Sequence, residues 1–292
     1  MPVVLVPEDL RDGLLAEFLI RLRRLDRAET TIAYYGATVR RFLKHHRRLN
    51  LEQITGEHVE RYLYERPLSP RSMSTELGVL RTFFRFLIRS KRFPGPNPCD
   101  DTDKPRWREK PRPSVTLGEF RRLVAVCRTN EQRLLVTLPY VCGFRINELR
   151  WIRWTDIDFP KRRITVMGKG RKERTVPYPA SVGPLLDLGR LDRDYLFPAR
   201  NIVHLPRTGY VLQDKLKALG KAAGLRYKLT CHVLRYGFAR LGRKSGLSLE
   251  EVSFLMGHSD IQTTANVYHR LHIEDVQPAY IEKVEKFLQD AP

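Results

Sequence analysis

Residues Arg162–Pro177 read RRITVMGKGRKERTVP. Ile164, Thr165 and Val166 on one side, and Thr175 and Val176 on the other, form short β-branched runs with a two-residue period. Gly168-Lys169-Gly170 lies between them, so the stretch is expected to be a β-hairpin. Almost everything around it keeps a helical period instead. The expected fold is mainly α: an N-terminal helical domain, then an α-helical domain carrying a small antiparallel β-sheet.

Upstream of the hairpin, Thr116-x-x-Glu119 is a capping box before FRRLVAVC, and EQRLLVTLPYVC forms a second helix that stops at Gly143. Downstream, Ser248-x-x-Glu251 caps another helix before Val252, Leu255 and Met256, with its end expected at Gly257. The first hundred residues are read as helices throughout. TTIAYYGATVRRFLKHH places Ile32, Tyr35, Val39, Phe42 and Leu43 on one face, leaving Arg40, Arg41, Lys44 and Arg47 largely off it. Thr55 caps GEHVERYLYER. Ser69-Pro70 opens a long helix that buries Met73, Leu77, Leu80, Phe84 and Leu87 and is expected to end near Phe93-Pro94.

Six prolines fall between Pro94 and Pro113 with no helical period, which marks a domain boundary. The domains are expected at 1–104 and 114–292, joined by a basic, Pro-rich linker at 105–113. Arg106, Arg108 and Lys110 in that linker suit a polyanion, although a connector with incidental charge has the same composition. No internal repeat is present.

Lys and Arg outnumber Asp and Glu by 53 to 33 over 292 residues, a net charge of +20. Such an excess favours a polyanionic partner, because neutralising phosphates releases condensed counterions. Residues 114–269 hold 27 basic and 13 acidic side chains, whereas 270–292 hold three and five. In the acidic tail, Tyr280, Ile281, Val284, Phe287 and Leu288 form an apolar helical stripe suited to docking on protein, either its own chain or a neighbour's. Cys99, Cys127, Cys142 and Cys231 are scattered, with no Cys-x-x-Cys pair, and are read as reduced thiols. The longest nearly apolar run, Leu134 to Phe144, is too short to span a bilayer, and MPVVLVPEDL does not resemble a signal peptide. A cytoplasmic protein with no membrane partner is expected.

Four separated strings carry the candidate chemistry. Arg145 and Glu148 in GFRINEL, and His232 and Arg235 in HVLR, are each three apart and can share one side of a helix. Lys169 sits at the hairpin tip, and His258 follows Gly257. Singly, these are an ion pair, a turn and helix-end histidines. Together, two arginines, a lysine and two histidines can stabilise a pentacoordinate phosphorane without metal. Guanidinium forks hold the non-bridging oxygens, and a lysine or imidazole protonates the leaving oxygen. Tyr268, in MGHSDIQTTANVYHR, is the candidate nucleophile. A phenol with a pKa of about 10 needs such cationic neighbours to attack.

In this order and spacing CGFRINEL, GKGRKERTVP, HVLRYGFA and MGHSDIQTTANVYHR resemble the motifs of the tyrosine recombinases, the lambda-integrase and Xer family. TTIAYYGATVRRF resembles the start of that family's N-terminal core-binding domain, so the likeness covers nearly the whole chain. It implies that Arg145 and Arg235 clamp the scissile phosphate, supported by Glu148. Lys169 would be the general acid to the 5′ oxygen, His232 and His258 would hydrogen-bond the phosphate and assist proton transfer, and Tyr268 would form the 3′-phosphotyrosine. It also implies duplex DNA with a specific recombination site as substrate, strand exchange through a Holliday junction, a homotetramer on DNA, and no cofactor. Arg40, Arg41, Lys44, Arg106, Arg108, Lys110, Arg171 and Lys172 are the candidate further DNA contacts.

Three positions depart from the family pattern. Tyr236 stands where many members carry a second histidine, Cys231 where proline is common, and Tyr268 lies ten positions after His258 where Xer-like members more often show an interval of nine. Two other readings compete: a type IB topoisomerase-like relaxing enzyme, and a DNA-binding module without catalysis. The core-binding domain and apolar tail favour the recombinase over the first, and the full set of seven groups argues against the second. The acidic run Cys99–Asp103 lies in the Pro-rich segment and is read as a solvated loop, not a magnesium site.

Overall fold

The computed structural model describes residues 8–103, 113–168, 173–187, 194–200, 202, 204–257 and 273–290. The chain divides into two compact units, Met1–Lys110 and Pro111–Pro292.

Unit 1 is built from α1 (Glu8–Arg24), α2 (Glu29–His45), α3 (Gly56–Tyr64) and α4 (Pro70–Arg89). The expected apolar stripes are the buried ones: Ile32, Val39, Phe42 and Leu43 on α2 meet Met73, Leu77, Leu80, Phe84 and Leu87 on α4 in one core. Phe42 and Phe84 pack edge to face at 5.8 Å, so truncating either would cost about 3–5 kcal/mol. Helix starts follow the sequence signals. The Ser69 hydroxyl accepts the Ser72 N–H at 3.2 Å ahead of Pro70, and the Thr55 N–H donates to His58 Nδ1 at 3.2 Å.

Helix α4 stops four residues short of the expected Phe93. Lys91 takes a left-handed backbone (φ 56°), and the Arg92 N–H closes the turn on the Leu87 carbonyl. Phe93 still enters the core against Phe84, which explains the longer apolar pattern. The start of the Pro-rich segment is ordered against α4: Arg81 donates to Asp100 Oδ1 at 2.8 Å and to the Cys99 carbonyl at 2.6 Å, and Asn97 donates to the Arg81 carbonyl.

Unit 2 has α5 (Leu117–Ala125), α6 (Asn130–Val141), α7 (Ile146–Trp151), a sheet, α8 (Gly183–Asp187), α9 (Gly209–Ala222), α10 (Cys231–Lys244), α11 (Leu249–Met256) and α12 (Ile273–Asp290). Both expected capping boxes form, with Thr116 reciprocating Glu119 and Ser248 reciprocating Glu251. Apolar α6 is the central post, packed by α5, α8, α9 and α10. The sheet is antiparallel in the order β1 (Ile157–Asp158), β2 (Arg163–Met167), β3 (Glu173–Pro177). Ile164 pairs with Val176 and Met167 with Glu173, so β2 and β3 form the expected hairpin, whose connection holds Lys169. The two-residue β1 is too short to leave a pattern in the sequence.

Helix α12 docks on its own unit. Tyr280 and Val284 are fully buried, and the Tyr280 hydroxyl donates to the Val141 carbonyl. Glu285 accepts from Arg162 Nη1 at 3.0 Å and from the Ala180 N–H at 2.6 Å. All four cysteines are free and buried. Among the described residues no helix is long and apolar enough to cross a membrane.

Candidate active site

The first arginine motif forms a helix start. Arg145 stands just before α7 instead of inside it; its backbone N–H donates to Glu148 Oε2 at 2.7 Å and its Nη1 to Oε1 at 2.8 Å. The three-residue spacing therefore works as a cap closed by a side-chain ion pair. Glu148 is only 4% exposed. Burial pushes its pKa up, but hydrogen bonds and charge from Arg174 and then Arg145 outweigh that and hold it below the ordinary carboxylate value.

Arg235 comes from α10, whose start is capped by Thr230 accepting the Val233 N–H at 3.3 Å. Its guanidinium is buried at 3% exposure, with Nη1 donating to the Gly143 carbonyl and Nη2 to the Met256 carbonyl at 2.6 Å. Burial, then the charges of Arg145 and Arg174, lower its pKa to about 9, which still leaves it cationic at neutral pH. Gly143 holds φ 68° after α6, and a Cβ there would lie 2.7 Å from the Phe238 ring; only glycine fits this turn. His232 is exposed on the first turn of α10, one turn before Arg235.

Arg145 and Arg235 meet at the end of α11. A helix leaves its last carbonyls without intrahelical partners and carries partial negative charge there. Three arginines, on β3, on α10 and just before α7, take three successive carbonyls. Arg174 Nε donates to Leu255 O at 3.2 Å, Arg235 Nη2 to Met256 O at 2.6 Å, and Arg145 Nη2 to Gly257 O at 3.2 Å. Gly257 ends the helix as expected, in a left-handed conformation (φ 61°).

Arg174, on β3, is the residue that motif reading passed over. It grips Glu148 with two prongs, Nη1 to Oε1 at 2.5 Å and Nη2 to Oε2 at 2.9 Å. A sequence signal existed. In a strand, Arg174 shares its face with Val176, which is fully buried, and an inward charge requires a partner.

Lys169, Arg171, Lys172, His258, Tyr268, Arg106, Arg108 and Lys110 lie outside the described residues. On α2, Arg40 and Lys44 are exposed. Arg41 is exposed too, but its Nη2 donates at 2.9 Å to Glu76, a buried carboxylate that Arg66 also binds at 2.5 Å. An open groove of about 620 Å3 is lined by Ile146, which follows Arg145 in the chain, Asn147 and Arg150 of α7, Tyr210 and Lys217 of α9, Lys228 and Thr230. Among the described residues no group of three or more His, Cys, Asp or Glu side chains is placed to hold a metal. The arrangement gathers guanidinium donors around one buried carboxylate, which suits a tetrahedral phosphate ester.

Residues 114–274 match the Phage integrase family, and residues 15–91 match the phage integrase N-terminal SAM-like domain. A tyrosine recombinase of Pseudothermotoga lettingae is 28% identical over 94% of this chain and 97% of its own length. The tyrosine recombinase XerC of Xanthomonas campestris pv. campestris is 30% identical over 78% of this chain and 70% of its own. Among solved structures, a lambda integrase tetramer bound to a Holliday junction shares the fold with a TM-score of 0.72 at 20% identity, over 90% of this chain and 80% of that one. The helical fold with its small antiparallel sheet is thus that of the integrase structures. The chain belongs to the phage integrase family of tyrosine recombinases.

Proposed function

We propose that this protein is a site-specific DNA recombinase that cleaves and rejoins duplex DNA through a 3′-phosphotyrosine, without ATP or metal. The observation that carries this reading is the convergence of Arg145 and Arg235 on the α11 end, with Glu148 holding Arg145, directly before the segment of the sequence that contains His258 and Tyr268.

On this reading the scissile phosphate enters beside Arg145 and Arg235, and its non-bridging oxygens compete for the N–H groups now given to Gly257 O and Met256 O. Arg235 is desolvated, so a phosphate anion offsets its charge where water cannot. The Tyr268 oxygen bonds to phosphorus, and its proton passes to His232 or His258. The P–O5′ bond breaks, and the 5′ oxygen takes a proton from Lys169. The reverse reaction, with a 5′ hydroxyl from another duplex, reseals the strand, so the bond energy stays in the phosphotyrosine. Residues 1–104 serve as the core-binding domain, 105–113 as a linker along the DNA, and 114–292 as the catalytic domain. The groove beside α7 and α9 takes the flanking backbone.

Four protomers on two sites exchange strands through a Holliday junction, in keeping with the lambda integrase tetramer of the same fold. The place of action is the cytoplasm. The test is incubation with candidate duplexes in EDTA. Wild type is expected to form a covalent adduct and strand-exchanged products, and Tyr268→Phe neither. An adduct from Tyr268→Phe would refute the assignment. Relaxed circles without exchanged strands would make the enzyme a topoisomerase.

A further inference from the structure

Arg174 is tied to all three pieces from which the proposed chemistry is assembled. Its backbone sits opposite Val166 on the hairpin, five residues after Lys169. Its two terminal nitrogens hold both oxygens of Glu148, the same carboxylate that receives the backbone and side chain of Arg145. Its Nε holds Leu255 O on the last turn of α11, two residues before Gly257. With its side chain 13% exposed and all three nitrogens engaged, Arg174 faces the protein and not solvent. A Cβ on Gly257 would lie 2.8 Å from Arg174 Cδ, so the α11 end and this arginine are in direct packing contact.

We propose that Arg174 is a positioning residue for strand cleavage, acting through Glu148 to aim Arg145 at the non-bridging oxygens and through Leu255 to set the α11 end that leads to His258 and Tyr268. This rests on the recombinase reading above. A guanidinium is required because three different nitrogens reach three separate acceptor atoms. A lysine keeps the charge but has a single nitrogen, which cannot hold both carboxylate oxygens and a backbone carbonyl in this geometry. Arg174 itself touches no reacting atom; its effect is on orientation, where small displacements cost large factors in rate.

The experiment compares wild type, Arg174→Lys and Arg174→Gln on nicked duplexes recovered by trapping covalent adducts from a random-sequence library. Single-turnover adduct formation at saturating DNA, the Kd for the same duplex and the thermal midpoint are measured below the unfolding range of every variant. Arg174→Lys is expected to slow adduct formation by about 10–100-fold. The Kd is expected to change by less than about threefold, because orientation and not ground-state binding is lost. Arg174→Gln should be at least as slow as Arg174→Lys. The decisive readout is the same comparison on a duplex whose scissile phosphate is a methylphosphonate. That group lacks one charged non-bridging oxygen, so the Arg174→Lys defect is expected to shrink to within about threefold. An equal defect on both duplexes means that Arg174 only holds the fold, and overturns the inference, as does a lysine variant as fast as wild type. A wild type that traps no adduct from the library overturns the recombinase reading and this inference with it.

Discussion

Glu148 receives Arg145 twice, through the backbone N–H at 2.7 Å and through Nη1 at 2.8 Å, so one buried carboxylate fixes both ends of the same arginine. Glu148→Ala removes the counter-charge from Arg145 and Arg174 together. Breaking a buried pair leaves uncompensated charge, typically about 3–5 kcal/mol. The variant is expected to lose that order of stability in urea unfolding and to form adduct at least about 100-fold more slowly than wild type. Glu148→Gln separates the charge from the hydrogen bonds. The Glu148 pKa lies below its ordinary value in the folded chain, so its stabilisation is complete above the ordinary carboxylate range and is lost as pH falls through the folded value. In Glu148→Gln that part of the acid-side slope of stability should vanish.

Gly143 and Gly257 are both left-handed; the Gly143 carbonyl accepts from Arg235, and Gly257 lies against Arg174. Gly143→Ala brings a methyl to 2.7 Å from Phe238 and strains the turn whose carbonyl receives Arg235. Gly257→Ala presses on Arg174 instead. Each should lower stability by about 1–3 kcal/mol. Each should also lower the adduct rate more than it lowers DNA affinity. Urea melts and binding titrations measured beside the rates check this. A variant with unchanged rate would show that these turns do not set the arginines.

His46 sits in unit 1 at 7% exposure, between His45 and His58, with Arg11 donating to its carbonyl at 3.1 Å. Burial first, then the charges of His45, His58 and Arg11, lower its pKa to about 4, against the opposing hydrogen bond with His58. The unfolded chain therefore takes up this proton first as pH falls. The stabilisation is full above about pH 6.5 and is lost progressively down to about pH 4, by at most about 3 kcal/mol. Amide exchange of α2 and α3, corrected for intrinsic rates, should show protection falling across that window in wild type. The fall should be shallower in His46→Phe.

The basic side chains of α2 should separate by role. Arg40→Ala and Lys44→Ala are expected to leave stability within about 0.5 kcal/mol. Each that contacts a phosphate lowers the slope of log affinity against log salt by about 0.9. Arg41→Ala additionally leaves Glu76 with Arg66 and the Tyr62 hydroxyl, so unit 1 should lose stability as well. Salt titrations of DNA binding and thermal melts of the three variants distinguish the two patterns.

Local signals were legible and distant ones were not. The hairpin, both capping boxes, the α2 and α4 faces and the Gly257 helix end are written within a few residues of each other, where period, cap chemistry and backbone freedom act directly. The grip of Arg174 on Glu148 spans 26 positions, and the meeting of three arginines on α11 joins residues as far as 112 apart. No local pattern encodes such pairings. Arg41 shows the opposite limit: its spacing marks it as off the apolar face, but only the fold shows that the nearest carboxylate is the buried Glu76. The α12 stripe specified a docking helix without its partner, because an apolar face fits any complementary surface; Val141, Ala180 and Arg162 of the same chain supply it.

The most direct test of the central claim is to identify the residue that holds the DNA. Wild type is trapped on a 5′-labelled strand, the adduct is digested with nuclease and trypsin, and the modified peptide is sequenced by mass spectrometry. The expected result is a nucleotide joined through its 3′ phosphate to Tyr268, within the tryptic peptide Ser245–Arg270. A nucleotide on any other residue, or a 5′ linkage, would contradict the account.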